Sequence, residues 1–101
     1  MAVTSFKALV AGDVPVLVDV FADWCGPCKA IAPELLALSP SVGDQAKILK
    51  VNIDRIQLLA QAHGIRSVPT LMIFKQGERV WKAAGYHSED QMKQALAPYM
   101  N

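Results

Sequence analysis

The sequence predicts an α/β fold in which a central mixed sheet of four or five strands is flanked by helices on both faces. Two observations carry this prediction. The run at residues 14–22 has apolar side chains on both of its faces, as a central strand requires. Helical and strand-like patterns then alternate along the chain and end in a hairpin followed by a helix. With 101 residues in all, one domain over residues 1–101 is expected.

The first elements are a short helix and this central strand. Thr4 or Ser5 can cap the helix and Gly12 can end it, and its apolar residues are Phe6, Leu9 and Val10. The strand places Val16, Val18 and Val20 on one face and Leu17 and Phe21 on the other. Asp19 shares the second face and is therefore predicted to be buried. Burial raises the pKa of a carboxyl because it disfavours the charged form.

A longer helix is predicted to begin at Cys25 and to carry Ile31, Leu35, Leu36 and Leu38. Pro33 lacks an N–H, so it should kink this helix near Lys29. Ser39-Pro40 should end the helix or distort its last turn.

The next segments predict a second strand and a third helix. Residues 45–53 alternate in polarity and are predicted as a strand, with Leu49, Val51 and Ile53 on one face and Ile48, Lys50 and Asn52 on the other. Asp54 should cap a helix over residues 55–63, and Gly64 should end it in the left-handed conformation.

The chain is predicted to close with a hairpin and a final helix. Residues 71–75 and 79–84 flank Gly77, which supplies the positive φ of a tight turn. Ser88 and Gln91 form a capping box for a helix that carries Met92, Ala95, Leu96 and Tyr99, and Pro98 should disturb its last turn.

The composition is that of a nearly neutral globular protein, with 52% hydrophobic residues and ten basic against nine acidic residues. No block of like charge would follow phosphates or an anionic membrane, so neither nucleic acid nor membrane is an expected partner. The apolar runs are too short for a transmembrane helix and no signal peptide is recognisable, which predicts a cytoplasmic location. Two cysteines also argue against a secreted disulfide scaffold.

The chemistry is expected at Cys25 and Cys28, the only cysteines, which stand three residues apart at the start of the second helix. Residues i and i+3 of a helix have Cβ atoms about 5–6 Å apart, a spacing that a disulfide fits. Closing so short a loop removes little chain entropy, so the bond suits a reversible switch better than a staple. Free backbone N–H groups and the helix dipole favour a thiolate at Cys25. Cys25 is therefore the candidate nucleophile, and Cys28, expected to be more buried, the resolving thiol.

Two further residues should tune this pair. Pro27 offers no N–H and no positive side chain to the thiolate, and fewer donors should leave the dithiol more reducing. Asp19, beneath the pair, can exchange a proton with it. Metal binding is the competing use of two cysteines, but it needs about four ligands, and His63 and His87 are far apart. Covalent haem needs histidine where Lys29 stands. No metal and no cofactor are therefore predicted.

Several segments, spread over nearly the whole chain, resemble the thioredoxin family, and in particular its bacterial members. These are Val18-Asp19, Trp24-Cys25-Gly26-Pro27-Cys28-Lys29, Ala32-Pro33, Lys50-Val51-Asn52-Ile53-Asp54, Gly64-Ile65-Arg66-Ser67-Val68-Pro69-Thr70, Phe74-Lys75-Gln76-Gly77 and Gly85. The resemblance implies a thioredoxin fold and a protein disulfide reductase that carries electrons in cell redox homeostasis by reversible thiol–disulfide exchange. It also implies disulfide-containing client proteins and a flavin-dependent thioredoxin reductase as partners, and a monomer is expected.

The resemblance further implies a cis peptide at Val68-Pro69, beside the cysteine pair, where an extended client segment would pair with the backbone. The client-docking residues would be Trp24, Gly26, Pro27, Val68, Pro69, Ala84, Gly85 and Tyr86. Lys50 would lie near Asp19 and oppose the effect of burial on the pKa of that carboxyl.

Three departures from the family pattern affect the expectations. The chain before Phe6 is short, so the first edge strand of bacterial relatives is expected to be missing or reduced, which leaves four or five strands open. Phe21 stands where many relatives carry Trp, and Ser67 where many carry Gly. Two other functions remain as alternatives. One is a binding or chaperone subunit that uses the docking residues without turnover. The other is an oxidant or isomerase, which the Gly26-Pro27 pair disfavours.

Overall fold

The computed structural model describes residues 3–100, and it consists of a mixed sheet with helices on both faces. The helices are α1 (Val3–Leu9), α2 (Gly26–Val42), α3 (Gln57–Ala62) and α4 (Glu89–Leu96). The strands are β1 (Val16–Phe21), β2 (Lys47–Asn52), β3 (Thr70–Lys75) and β4 (Glu78–Ala84). Short 3₁₀ turns occupy Gly43–Gln45, Ile53–Arg55 and Ala97–Tyr99. The predicted order of elements and the predicted fold class are confirmed.

The sheet has the strand order β2-β1-β3-β4, with β1 parallel to β2 and antiparallel to β3. Every residue of β1 except Phe21 is buried, which agrees with the apolar character of both of its faces. Of the alternatives left open by the sequence, the described residues show the four-stranded sheet. As a result β2, rather than a further strand, forms one edge of the sheet.

Each face of the sheet has its own hydrophobic core. On one face, β1 packs against α1 and α3 through a cluster that includes Val16, Val18, Val20, Phe6, Val10, Leu59 and Ala60. On the other face it packs against α2 and α4 through Leu17, Ile31, Leu35, Leu38, Met92 and Leu96. The strand-face assignment from period-2 alternation is therefore confirmed, and Asp19 lies on the α2 side between Leu17 and Phe21.

Two predictions about the first helix are wrong. The helix begins at Val3, so neither Thr4 nor Ser5 caps it. Gly12 does not adopt a positive φ, and its carbonyl oxygen instead accepts a hydrogen bond from the N–H of Gln76 over 3.1 Å. Gly12 thus joins the α1–β1 loop to the hairpin turn, a long-range contact that local sequence does not reveal.

Helix α2 is longer than the sequence indicates, because Ser39-Pro40 does not end it. Pro33 and Pro40 both lie inside the helix, which continues to Val42, and Gly43 follows with φ 56°. Val42 and Leu38 are buried against the sheet on either side of Pro40. This packing holds the last turn in place although the proline removes one of its hydrogen bonds.

The prediction that Asp54 caps the third helix is also wrong. Asp54 lies in the 3₁₀ turn, where its N–H donates to the side-chain oxygen of Asn52 over 2.9 Å, and Ile56 is the N-cap residue of α3. At the other end of α3 the prediction is confirmed. Gly64 has φ 63°, and the N–H of Ile65 donates to the carbonyl of Ala60 over 2.9 Å, closing the helix terminus.

The hairpin and the last helix follow the sequence closely. Lys75 pairs with Glu78, so the turn consists of Gln76 and Gly77, with φ values of 53° and 84°. Two successive positive φ values are typical of the two-residue turns that match the twist of a hairpin. The capping box of α4 is present, formed by Ser88 and Gln91.

Candidate active site

The site lies where β1 ends and α2 begins. After Phe21 the chain turns, and the N–H of Cys25 donates to the carbonyl of Ala22 over 3.2 Å. Cys25 is extended, with φ −93° and ψ 115°, and serves as the N-cap residue of α2. Its sulfur therefore faces the end of a helix whose first N–H groups have no intrahelical partner.

The two cysteines form a disulfide across the first turn of α2, with their Cα atoms 5.3 Å apart. The backbone N–H of Cys28 donates to Sγ of Cys25 over 3.1 Å. Pro27 lies within the first two positions of the helix and contributes no N–H. One backbone donor and the positive end of the helix dipole are thus directed at Cys25, and both stabilise negative charge on its sulfur.

The predicted difference in burial between the two cysteines is not present. Cys25 is 4% exposed and Cys28 is 7% exposed. Both pack against Ala22, with the partly buried Phe21 and Val68 beside them. Any difference in their roles must therefore come from position, since the sulfur of Cys25 receives the N–H bond of Cys28 at the helix terminus.

The peptide bond between Val68 and Pro69 is cis, as the resemblance implied. It lies beside the disulfide, since Sγ of Cys25 is 3.5 Å from the carbonyl oxygen of Val68. The N–H of Gly85 donates to the carbonyl of Pro69 over 2.8 Å, which brings the end of β4 to the same place. Three segments that are distant in sequence therefore meet at the cysteine pair.

The predicted docking residues form a mostly exposed rim around the pair, which we call the docking surface. Trp24 is 72% exposed and Tyr86 is 49% exposed. Gly26, Pro27 and Ala84 are also exposed, Val68 and Gly85 are half-buried, and Pro69 is buried. Seven of the eight predicted residues are thus accessible to a partner, and Pro69 contributes through the backbone geometry that it imposes on Val68.

Asp19 is buried, as predicted, with 1% of its surface exposed. Burial raises its pKa from 3.8 to about 6, and the positive charge of Lys50 acts in the opposite direction. Its Oδ1 atom makes no hydrogen bond within residues 3–100. A carboxyl in such surroundings changes its protonation state close to neutral pH, as a proton carrier must.

Lys50 is exposed and is the register partner of Asp19 on the neighbouring parallel strand. Its Nζ atom lies 5.0 Å from the centre of the Phe21 ring. Lys50 and Phe21 also line a cavity of about 220 Å³ at the β2 edge, together with Val51, Asn52, Arg55 and Ile56. The structure therefore brings Lys50 to the neighbourhood of the buried acid.

A polar network behind Trp24 was missed by the sequence reasoning. The indole N–H of Trp24 donates to Oδ2 of Asp54 over 3.3 Å, and Nδ2 of Asn52 donates to Oδ2 of Asp23 over 3.3 Å. Asn52 also accepts the Asp54 N–H. The available signal was the Asn-Ile-Asp segment, because Asn and Asp side chains commonly bond to nearby backbone in turns.

A groove of about 390 Å³ adjoins the docking surface and was also missed. Its lining is Trp24, Ile53, Asp54, Gln57, Ala60, Gln61, Arg66, Ser67 and Val68. Residues 3–100 contain no cluster of three or more His, Cys, Asp or Glu side chains that could hold a metal ion. Within the same range, no helix has the length and apolar character needed to cross a membrane.

The family model for Thioredoxin matches residues 1–98. The chain belongs to the thioredoxin family. It is 41% identical over 98 residues to the thioredoxin of Porphyra purpurea, which covers 96% of this chain and 92% of that protein. It is 40% identical over 99 residues to the thioredoxin of Rickettsia prowazekii, covering 97% and 90%. Among solved structures, a mutant thioredoxin from Halobacterium salinarum NRC-1 superposes with a TM-score of 0.89 at 35% identity, covering all of this chain and 88% of that one.

Membership of this family indicates the chemical function of the cysteine pair. Thioredoxins are disulfide oxidoreductases, and Cys25 and Cys28 occupy the redox-active Cys-x-x-Cys position, directly after Trp24. The family also implies disulfide-bearing substrate proteins and a thioredoxin reductase as partners. The predicted family, fold and disulfide oxidoreductase function are therefore confirmed.

Proposed function

We propose that this thioredoxin reduces disulfides in client proteins by a two-step exchange in which Cys25 attacks and Cys28 resolves. The observation that carries the proposal is the position of Cys25 at the N-terminus of α2, where its sulfur receives the N–H of Cys28 over 3.1 Å. Such a position stabilises a thiolate, which is the form that attacks a disulfide.

In the first step the Cys25 thiolate attacks one sulfur of the client disulfide. A bond forms between Cys25 and the client, the client S–S bond breaks, and the other client sulfur leaves as a thiolate that takes a proton from solvent. Sγ of Cys25 lies 3.5 Å from the Val68 carbonyl, so an extended client segment at Val68 would have its sulfur close to the nucleophile.

In the second step Cys28 gives up its proton and attacks Sγ of Cys25. The bond between Cys25 and the client breaks, the Cys25–Cys28 bond forms, and the second client sulfur leaves as a thiolate that takes a proton from solvent. The client gains two electrons and two protons, and the dithiol loses them. Asp19 supports this step as the group that takes the proton of Cys28. A carboxyl whose pKa is about 6 is mostly ionised at pH 7 and can therefore accept a proton there. Lys50 favours the ionised form of Asp19. Pro27 has no N–H, and neither Gly26 nor Pro27 has a side-chain donor, so few donors reach the nucleophile.

The docking surface serves both partners. Clients and the thioredoxin reductase that restores the dithiol would contact its exposed residues, Trp24, Gly26, Pro27, Ala84 and Tyr86, with the backbone of Val68 and Gly85 between them. The proposal further holds that the chain acts as one domain over residues 1–101, as a monomer, in the cytoplasm, where a reducing environment maintains the dithiol.

Two single-cysteine variants test the assignment of roles. Cys25→Ser should abolish the protein's catalysis of insulin reduction by dithiothreitol, because the thiol proposed to attack first is gone. Cys28→Ser should also stop turnover but should accumulate a mixed disulfide with the client, which non-reducing electrophoresis and intact mass reveal. Mixed disulfides in Cys25→Ser and none in Cys28→Ser would reverse the two roles.

A double variant separates the proposed reductase from a binding or chaperone subunit. Cys25→Ser with Cys28→Ser retains the docking surface but has no redox chemistry. If this variant still supports growth of cells that depend on the protein, binding without turnover is its cellular role. Equilibration of the wild type with glutathione separates a reductase from an oxidant, since only a reductase remains oxidised in a large excess of reduced over oxidised glutathione.

A further inference from the structure

The ammonium group of Lys50 lies over the ring of Phe21. Its Nζ atom is 5.0 Å from the ring centre, within the distance at which a cation is attracted to an aromatic face. Lys50 itself is an exposed residue on an edge strand, with four rotatable side-chain bonds and no fixed position of its own. The ring therefore supplies a location that the lysine would otherwise lack.

The position of this ring relates it to the buried acid. Phe21 and Asp19 are two residues apart in β1 and lie on the same face of the sheet, and Lys50 pairs in register with Asp19. A lysine that rests on Phe21 thus stays along the same side of the strand pair as the Asp19 carboxyl. A lysine that extends from the sheet edge into solvent would be farther away and screened by water.

We propose that Phe21 is a positioning residue, whose ring holds the Lys50 ammonium near Asp19 and thereby determines how strongly the buried carboxyl retains its proton. The functional consequence rests on the proton role proposed above for Asp19, but the positioning itself does not. Phe21 also packs against the cluster of Ala22, Cys25 and Cys28, but in the role proposed here it acts through Lys50.

The other groups around Asp19 leave Lys50 as the principal charge. On β3 its partner is Leu71, which carries none. Helix α2 covers this face, and its titratable residues are Cys28, Lys29 and Glu34. Cys28 is in the disulfide, Lys29 is exposed, and Glu34 accepts the N–H of Glu89 over 2.8 Å at the α4 terminus. Arg55 is a second cation in the Lys50 cavity, but Lys50 is the charge that opposes the effect of burial on Asp19.

The test is a direct titration of Asp19 in the oxidised protein, by the pH dependence of its carboxyl ¹³C chemical shift in NMR. The single variants are Phe21→Leu, which keeps apolar bulk without a ring, Phe21→Tyr, which keeps the ring, and Lys50→Met. The double variant combines Phe21→Leu with Lys50→Met. Phe21→Met is a second ringless variant if leucine prevents folding. Arg55→Met is the matched control, since it removes a cation from the same cavity.

The expected result is a rise in the pKa of Asp19 in both Lys50→Met and Phe21→Leu, with Phe21→Leu giving about half or more of the Lys50→Met shift. Phe21→Tyr should titrate like the wild type, and Arg55→Met should shift less than Lys50→Met. Adding Phe21→Leu to Lys50→Met should cause no further change, because the ring has no cation left to hold.

Three outcomes would overturn the proposal. An unchanged titration in Phe21→Leu would mean that the ring does not position the charge, and a lowered pKa would mean that it holds Lys50 away from Asp19. If Phe21→Leu shifts the pKa of Asp19 equally in the wild-type and the Lys50→Met backgrounds, the ring acts only by excluding water. None of these titrations requires catalytic turnover, so their outcome is independent of the tests of Cys25 and Cys28.

Discussion

The indole N–H of Trp24 donates a hydrogen bond to the carboxylate of Asp54 over 3.3 Å, although 72% of the tryptophan surface is exposed. Asp54 is fixed in turn by its own N–H bond to the side chain of Asn52. A large aromatic side chain next to Cys25 is thus held in one orientation before any partner arrives. Binding to an ordered ring avoids the entropy loss of ordering it at the moment of contact.

Asp54→Ala should therefore weaken client binding without affecting the chemistry. Ordering one side chain on binding costs about 0.5–1.5 kcal/mol, so KM for insulin should rise between about twofold and tenfold while kcat stays near the wild-type value. Asp54→Asn keeps an acceptor oxygen for the indole and should lie closer to the wild type. Equal KM values for Asp54→Ala and the wild type would show that the hydrogen bond does not prepare the ring. Loss of the exposed bond should change stability by less than about 1 kcal/mol.

Features of the fold that depend on local interactions were predicted from the sequence, whereas features that depend on contacts between distant residues were not. Alternation along β1 assigned Val18 and Asp19 to opposite faces correctly, because period-2 geometry is a property of the strand itself. Of the two effects predicted for Ser39-Pro40, ending the helix was wrong, because packing of Val42 against the sheet, a tertiary effect, allows the helix to continue past Pro40. The prediction that Gly12 ends the first helix was wrong for the same reason, since its hydrogen-bond partner Gln76 is far along the chain.

The candidate site shows the same division. The position of Cys25 at the start of α2, on which its proposed role as nucleophile rests, follows from local helix geometry, and the structure confirms that position. The cis bond before Pro69 could be expected only from the family resemblance, because most X-Pro bonds are trans. The equal burial of Cys25 and Cys28 and the bond from Trp24 to Asp54 depend on how separate segments meet, which residue patterns do not encode.

The buried acid should make the folded protein less stable at neutral pH than at mildly acidic pH. Burial raises the pKa of Asp19 from 3.8 to about 6, so between these values the folded state binds the proton that the unfolded state has released. Stability from this group is present below pH 3.8 and is lost as the pH rises through about 6. The shift corresponds to about 3 kcal/mol. Asp19→Asn removes this loss.

Urea unfolding of the oxidised wild type and Asp19→Asn at pH 4, 5, 6, 7 and 8 would measure this effect. The variant should gain stability relative to the wild type by about 2–2.5 kcal/mol between pH 4 and pH 8, with most of the gain below pH 7, because part of the effect is already present at pH 4. Only the pH-dependent part is diagnostic, since an amide changes the local packing at every pH. A constant difference over the whole range would show that Asp19 titrates normally.

His63 should have the opposite pH dependence. Burial lowers its pKa below the ordinary 6.5, and the positive charges of Arg79 and Lys82 act in the same direction. The ring packs against Phe74, with the centres 5.3 Å apart, and Nη1 of Arg79 lies 3.3 Å from its Nδ1. The folded state therefore favours the neutral ring more than the unfolded chain does. Its contribution is present above pH 6.5 and is lost as the pH falls below that value.

His63→Gln should remove this acid-side loss of stability. The experiment belongs in the Asp19→Asn background, because Asp19 titrates in an overlapping range with the opposite sign. Arg79 and Lys82 also donate to the main-chain carbonyl of His63, and the substitution leaves that acceptor in place. Urea midpoints from pH 5 to pH 8 should depend less on pH in the glutamine variant. The same slope in both proteins would contradict the prediction.

The hairpin turn should respond to substitution according to its φ angles alone. Gly77 has φ 84°, and no heavy atom outside Gly77 and its two chain neighbours lies within 4 Å of the point that a Cβ would occupy. Gly77→Ala is therefore expected to cost about 1–2 kcal/mol through backbone strain without a clash. Gln76 has φ 53°, which asparagine adopts more readily, so Gln76→Asn should be stabilising by up to about 1 kcal/mol. Gly12→Ala is the matched control, because Gly12 has equal space but no positive φ, and it should be neutral or stabilising. Equal losses in Gly77→Ala and Gly12→Ala would remove the backbone explanation.

The end of β4 should matter for clients although it carries no reactive group. Ala84 is exposed and precedes Gly85, whose N–H bonds to the Pro69 carbonyl over 2.8 Å. Ala84→Glu would place an unpaired carboxylate under a docked client, which costs about 1–3 kcal/mol and should raise KM for insulin by about tenfold with kcat little changed. Ala37→Glu makes the same change at an exposed position of α2 and should leave KM unaltered. If both variants raise KM equally, net charge rather than docking at Ala84 is responsible, and β4 lies outside the surface that clients contact.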